Sequence, residues 1–189
     1  MKCTIVSTGF EKGMLEKNEH ERPIPELKLH LLDEIWKLYI KGVTDFYVNC
    51  EWGVPLWAAE VICALKMYNP IALHVVAPYE KQAEEWLEYR RERYYQVHNK
   101  ADSVDIISSR KYTGCYDDAD RFMAEHCCGV LVISSGNYIS AQPSGIGSVR
   151  EVMENGADIV SDKHFSVSGE TEEPIDLRFT RICRQNVIC

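Results

Sequence analysis

GVLVISSGNYISAQPSGIGSVREVMENGADIVSD, Gly129 to Asp162, decides how the chain folds. It opens on a short apolar run, GVLVISS, of the kind that forms a strand buried on both faces. It closes on a second short run, ADIVSD (Ala157–Asp162). Between them lies a loop with Gly145 and Gly147, then a helical segment from about Ser148 to Asn155. A strand, a glycine loop, a helix and a strand make one βαβ unit, whose two strands run parallel.

The same alternation extends back to the start of the chain. CTIVST (Cys3–Thr8) reads as a first strand, VTDFYVN (Val43–Asn49) as a second, IALHVVAPY (Ile71–Tyr79, stopped by Pro78) as a third and SVDIISS (Ser103–Ser109) as a fourth. The segments between them have helical periods. In ELKLHLLDEIWKLYIKG, Leu27, Leu31, Ile35 and Leu38 share one face, Pro25 suits the first turn and Gly42 the C-terminal stop. Trp57, Val61 and Leu65 stack along LWAAEVICALKMY. A charged helix is predicted from Lys81 to about Lys100, and YDDADRFMAEHC (Tyr116–Cys127) carries its carboxylates at the N-terminal end, where the helix dipole favours them. The expected fold is therefore α/β, Rossmann-like, with three α/β/α layers around a mostly parallel sheet. One domain spans 1–189. From Lys163 the chain reads as a C-terminal extension, a polar loop through HFSVSGETEEPID followed by LRFTRI as a last strand on an edge.

Composition narrows the function. The net charge of −8 argues against binding nucleic acid, whose phosphates an acidic surface repels. No apolar run approaches the ~20 residues of a membrane helix, and MKCTIVSTGFEKG lacks the apolar length of a signal peptide, so the expected location is cytoplasmic, with no membrane partner. The eight cysteines form no C-x-x-C pair and no zinc spacing, and Cys127–Cys128 would make a strained disulfide; reduced, partly buried thiols, no metal and no cofactor are expected.

In an open parallel sheet, ligands bind beyond the carboxyl ends of the strands. The loops there hold Thr8, Gly9 and Phe10 after the first strand, Trp52 and Gly53 after the second, and Ser134, Ser135 and Gly136 after the fifth. Gly145, Gly147 and Ser148 suit an anion at a helix start. Ser148 and Glu151 also have capping-box spacing, which explains both without a ligand, and the two readings stay open. Trp52 has a ring that a base can stack on, while Trp57 reads as core. Glu60, one turn into its helix, is a candidate to orient a sugar hydroxyl or attack an anomeric carbon, or it is simply solvated. EYRRERYYQVH mixes basic and aromatic residues, but the interleaved Glu84, Glu85, Glu88 and Glu92 suit salt bridges on a solvated face. His74 reads as a sheet residue.

Several stretches in order, STGF (Ser7–Phe10), GVTDFYVN (Gly42–Asn49), GVPLWAAEV (Gly53–Val61), APYEKQAEEW (Ala77–Trp86), KYTGC (Lys111–Cys115) and DRFMAEH (Asp120–His126), resemble the YpsA/YoqJ-like family of bacterial and phage proteins. That family lies in the SLOG superfamily of Rossmann-like domains, with the DNA-processing protein DprA and the LOG phosphoribohydrolases that release cytokinin bases. The resemblance covers about Lys2 to Asp162. It implies a pocket for a nucleotide-derived ligand and no established reaction. Pro143 to Glu151 also looks like the P-G-G-x-G-T-x-x-E motif of LOG enzymes, which would make Gly145, Gly147 and Ser148 phosphate contacts and Glu151 a catalytic carboxylate. The chain departs from the family where Phe10-Glu11 replace His-Arg, where Pro55 replaces Asp, and where Ala119-Asp120 replace Arg-Asn. The first loses a cation from an anion site and gains a carboxylate. The leading expectation is binding of a small nucleotide-derived ligand. The alternatives are a nucleoside-monophosphate N-glycosidase using Glu60 or Glu151, and a protein-interaction module whose site has been lost. SLOG relatives often dimerise, so a homodimer is the implied assembly.

Overall fold

The computed structural model describes residues 1–8, 10, 19–20, 23–135, 157–167 and 175–184. The strands are β1 (Lys2–Thr8), β2 (Asp45–Val48), β3 (Ala72–Ala77), β4 (Ser103–Ile106), β5 (Gly129–Ser135), β6 (Ala157–Val167) and β7 (Ile175–Arg184). The helices are α1 (Ile24–Ile40), α2 (Val54–Lys66), α3 (Glu88–Lys100) and α4 (Cys115–His126). All seven strands form one sheet in the order β4-β3-β2-β1-β5-β7-β6. β1 to β5 pair in parallel, and β7 runs antiparallel between β5 and β6. This is the Rossmann-like, three-layer α/β/α architecture that the alternation of strands and helices predicts.

Strand order carries the connection from β4 across β1 to β5. The sheet is thus wound one way from β1 to β4 and the other way from β5. Right-handed crossovers then put α1, α2 and α3 on one face and α4 on the opposite face. The two cores agree. Ile5, Phe46, Val48, Leu73 and Val75 pack with the inner stripes of α1 and α2, including the fully buried Trp57. Val6, Tyr47, Val76, Val130 and Val132 pack with Ala119, Met123, Ala124 and Cys127 of α4.

α1 ends as its sequence suggests. Gly42 has φ +94, its N–H bonds to the Tyr39 carbonyl at 2.8 Å, and the Val43 N–H reaches the Leu38 carbonyl at 3.0 Å. That pair of bonds closes the last turn, and glycine bears the positive φ without Cβ strain.

The charged segment after β3 departs from expectation. Its helix begins at Glu88, not Lys81. Residues 80–85 are successive turns, with i→i−3 bonds from Gln82 to Tyr79, Glu84 to Lys81 and Trp86 to Ala83. Gln82 is the reason. It is 2% exposed, its side-chain amide donates to the Asn49 carbonyl at 3.1 Å, and its own carbonyl oxygen accepts from the Tyr94 hydroxyl at 3.3 Å. Leu87 is extended, and the helix starts beyond it.

The C-terminal segment departs further. β6 continues to Val167, past the predicted end at Asp162, and LRFTRI lies within β7 inside the sheet, not on an edge. Leu177, Phe179, Arg181 and Cys183 alternate inward and are buried, the period of a strand covered on that face. Arg181 is tied to Glu34 of α1, and Lys163 of β6 reaches the same carboxylate at 2.6 Å. An ion triad with Glu34 and Arg181 buried and Lys163 partly exposed so clamps β6 and β7 to α1.

Candidate functional site

The site is built from residues that alternate toward α4 at the carboxyl ends of the central strands. Thr4, Val6 and Thr8 share one side of β1, with Val6 in the α4 core. Tyr47 lies on that side of β2 with Asn49 just past its end, and Val130, Val132 and Ser134 lie on that side of β5. Thr8 stands opposite Ser134 in the ladder. The winding reverses between β1 and β5, the place where open α/β sheets take ligands.

Asp120 of α4 packs against this side of the sheet. It is 6% exposed and accepts a 3.0 Å hydrogen bond from the Asn49 side-chain amide. Asn49 is itself held: its side-chain oxygen accepts from the Glu51 N–H at 3.0 Å, and its carbonyl accepts from Gln82. Burial pushes the Asp120 carboxyl up to about 7; the Asn49 bond opposes the rise, while the Glu51 and Asp117 carboxylates add to it. Burial also raises Glu51, with Lys111 opposing, although the Glu51 side chain stands open to solvent, which weakens that rise. Tyr79 and Tyr116 meet edge to face beside this group, and burial raises the Tyr116 hydroxyl. Two buried oxygens on this side of the sheet and helix, Oγ1 of Thr8 and Oδ1 of Asp117, have no hydrogen-bond partner among the described residues. Buried polar atoms are ordinarily paired, so each such orphan calls for an explanation.

The turn from β2 into α2 is strained. Cys50 has φ +53, a left-handed conformation that costs a non-glycine residue of order 1 kcal/mol. Gly53 follows at φ +110 and starts α2. The backbone resembles a nucleophile turn, but the Cys50 side chain is fully buried in the α1–α2 core. Burial raises its thiol well above the ordinary value, so it is not a thiolate nucleophile.

The residues expected from the sequence are dispersed. Thr8 and Ser134 meet at the crevice. Ser135 alternates to the opposite side and is buried, and Phe10 packs against the α1–α2 core. Trp52 and Gly53 lie in the β2–α2 turn. Trp52 touches Trp57, Trp86 and Tyr89 edge to face, and the Arg90 guanidinium lies 4.3 Å from its ring centre. Glu60 is held by both nitrogens of the Arg93 fork at 2.6 Å each, and Arg93 also pairs with Glu19. Among the described residues the ion pairs of the α3 arginines run from Arg93 to Glu60 and Glu19, and none of these arginines pairs with the carboxylate of Glu84, Glu85, Glu88 or Glu92, contrary to the expected salt bridges along a solvated face. His74 sits in β3 between Ser103 and Asp45, at 2.8 and 3.3 Å. Gly9, Gly136, Gly145, Gly147, Ser148 and Glu151 lie outside the described residues, as does the helical segment from Ser148.

Asn49, Asp117 and Asp120 escape a reading by loops alone. The signal for Asp120 is nonetheless in the sequence. It falls among Ala119, Met123 and Cys127 on the apolar face of α4, where the dipole accounts for none of its burial. Among the described residues no three His, Cys, Asp or Glu side chains come together as metal ligands, and no helix is long and apolar enough to cross a membrane.

The sheet order and the helices on both faces define a doubly wound α/β protein. The chain belongs to the YpsA family, described as the YspA SLOG family, whose model matches residues 5–154. It is 37% identical over 114 residues to a UPF0398 protein of Halalkalibacterium halodurans, a match covering 58% of this chain and 59% of that one. It is 29% identical over 134 residues to a UPF0398 protein of Staphylococcus aureus strain JH9, covering 69% and 72%. The crystal structure of Thermoplasma acidophilum 1320 superposes with a TM-score of 0.50 at 8% identity, covering 92% of this chain and 94% of that one, a likeness of fold alone.

Proposed function

We propose that this protein binds a small nucleotide-derived ligand in the crevice beyond the carboxyl ends of β1, β2 and β5. The observation that carries the reading is the cluster at the switch point: Thr8 with a buried, unpartnered hydroxyl beside the buried Asn49–Asp120 pair. Such groups are costly to hold without a partner, and a ligand's polar atoms would satisfy them. Phosphate is assigned to Gly145, Gly147 and Ser148 by the resemblance to LOG enzymes. The test is thermal unfolding against mononucleotides, dinucleotides, cyclic nucleotides and ADP-ribose. A ligand at ~100 times its Kd adds about 2.7 kcal/mol, roughly 2–4 °C for each kcal/mol in a chain of this size. A flat response across the panel would overturn the reading in favour of an interaction module.

The N-glycosidase reading rests on Glu151, by resemblance to LOG enzymes, since Glu60 is engaged by Arg93. Release of free base from a bound mononucleotide, abolished by Glu151→Gln, would make the protein an enzyme; binding without product leaves it a binding protein.

A homodimer belongs to the same reading. Leu29, Leu32, Trp36 and Ile40 form an exposed apolar stripe on α1. Asp33 and Lys37 flank it, so two copies packed antiparallel would set each Asp33 near the other's Lys37. Sedimentation should show a dimer that Trp36→Glu dissociates; a monomer at all concentrations would refute it.

A further inference from the structure

We infer that the Asn49–Asp120 end of the crevice takes the vicinal hydroxyls of a sugar and not a phosphate, an inference that rests on the nucleotide-derived ligand proposed above.

The donor and acceptor inventory is one-sided. Asp120 is 6% exposed, Asn49 is its sole hydrogen-bond partner among the described residues, and its second carboxyl oxygen, which is not one of the buried unpartnered atoms, is open to a further donor. Asp117 adds a buried oxygen with no donor. Thr8 adds a buried hydroxyl that both donates and accepts. Once Asp120 is ionised, above about pH 7, a ligand group that satisfies these atoms must bring hydrogen-bond donors. Phosphate at neutral pH brings acceptors and negative charge, and here it would face Asp117, Asp120 and Glu51. Lys111, which acts on Glu51 and lies 5.8 Å from the Tyr79 ring centre, is the one cation coupled to this group among the described residues. A vicinal diol fits: each hydroxyl donates to a carboxylate oxygen, and one accepts from Thr8.

The supporting shell holds the acceptor atoms in place. Gln82 and the Glu51 N–H fix Asn49, and Asn49 fixes Asp120. The pair joins β2 to α4 across 71 positions of sequence. This places the sugar on the α4 side of the sheet, across the sheet from Glu60 and the Trp52 cluster.

The experiment uses ribose 5-phosphate and 2-deoxyribose 5-phosphate, which carry the sugar and phosphate without requiring the identity of the base. Affinities are measured by NMR titration of the full chain at about pH 8.5, where Asp120 is ionised. The wild type should bind the ribose compound about tenfold or more tightly than the deoxy compound, the size of one hydrogen bond to a charged group. Asp120→Asn keeps an oxygen to accept from Asn49 and removes the charge. It should cut that ratio to less than about threefold. Equal wild-type affinities, or a ratio untouched by Asp120→Asn, would overturn the sugar assignment while leaving ligand binding standing. Tight binding of a free amino-purine that Asp120→Asn abolishes would also overturn it, in favour of a base at this end. If neither sugar phosphate nor any nucleotide of the thermal panel binds, the parent reading fails, and this one with it.

Discussion

Asp120→Asn gives the most direct physical test of the crevice, because its effect on stability needs no ligand. In the folded chain Asp120 keeps its proton up to about pH 7, against an ordinary value of 3.8, chiefly because burial penalises the charged form. Asn49 favours the charged form, and the carboxylates of Glu51 and Asp117 oppose it. Between about pH 4 and 7 the folded chain therefore binds more protons at this site than the unfolded chain, and stability falls as pH rises. A shift of about 3 units corresponds to about 4 kcal/mol over that window, near 1.4 kcal/mol per pH unit at its steepest. Asparagine cannot ionise, so the variant should lack this slope. It should be slightly less stable than, or equal to, the wild type at pH 4.5, and more stable by a few kcal/mol at pH 8. The assay is urea unfolding of both proteins at half-unit steps from pH 4.5 to 8, comparing the difference in unfolding free energy. Two parallel curves would refute a buried, proton-holding Asp120, and with it the electrostatic account of the crevice.

Other perturbations follow from the same structure. Glu34→Ala leaves Arg181, only 4% exposed, without its carboxylate, and should destabilise by about 3–5 kcal/mol in urea; replacing Glu34 and Arg181 together by methionine should recover much of that loss. Although burial pushes the Glu34 carboxyl up, hydrogen bonds from Lys163 and Arg181 hold it below its ordinary 4.5, so its contribution is present above about pH 4.5 and is lost on further acidification, opposite in sign to Asp120. This should appear as a fall in the wild-type unfolding midpoint below pH 4.5 that Glu34→Gln lacks. Gly114→Ala meets no atom within 4 Å yet requires a side chain at φ +96, so it should cost about 1–2 kcal/mol from backbone strain alone, and Gly114→Asn less. Iodoacetamide on the native protein should modify the half-buried Cys128 well before Cys3 and Cys50, whose thiols burial raises, as peptide mass mapping would show. Glu60→Gln should change stability by less than about 1 kcal/mol, the scale of a partly exposed ion pair, and leave ligand binding intact; loss of binding would return Glu60 to the site.

The sequence by itself determined the alternation of strands and helices, and hence the parallel sheet with helices on both faces. Short β-branched runs such as CTIVST and amphipathic periods such as Leu27, Leu31, Ile35 and Leu38 are local signals, and hydrophobic burial acts on them wherever the chain places them. The stop at Gly42 and the family resemblance were legible for the same local reason. Strand order was not. That β7 enters between β5 and β6 depends on which edge is left to pair, and on an ion triad whose members, Glu34, Lys163 and Arg181, lie far apart in sequence. The start of α3 at Glu88 was hidden because Gln82 is claimed by Asn49 and Tyr94, two partners that only the folded chain brings near. The site divides in the same way. Thr8 and Ser134 could be named because they end strands. Asn49 and Asp120 are 71 positions apart, and only the crossing of α4 over the central strands buries one against the other. Charge and proton affinity in a protein depend on what surrounds a group in space, so the chemistry of this crevice belongs to the tertiary structure.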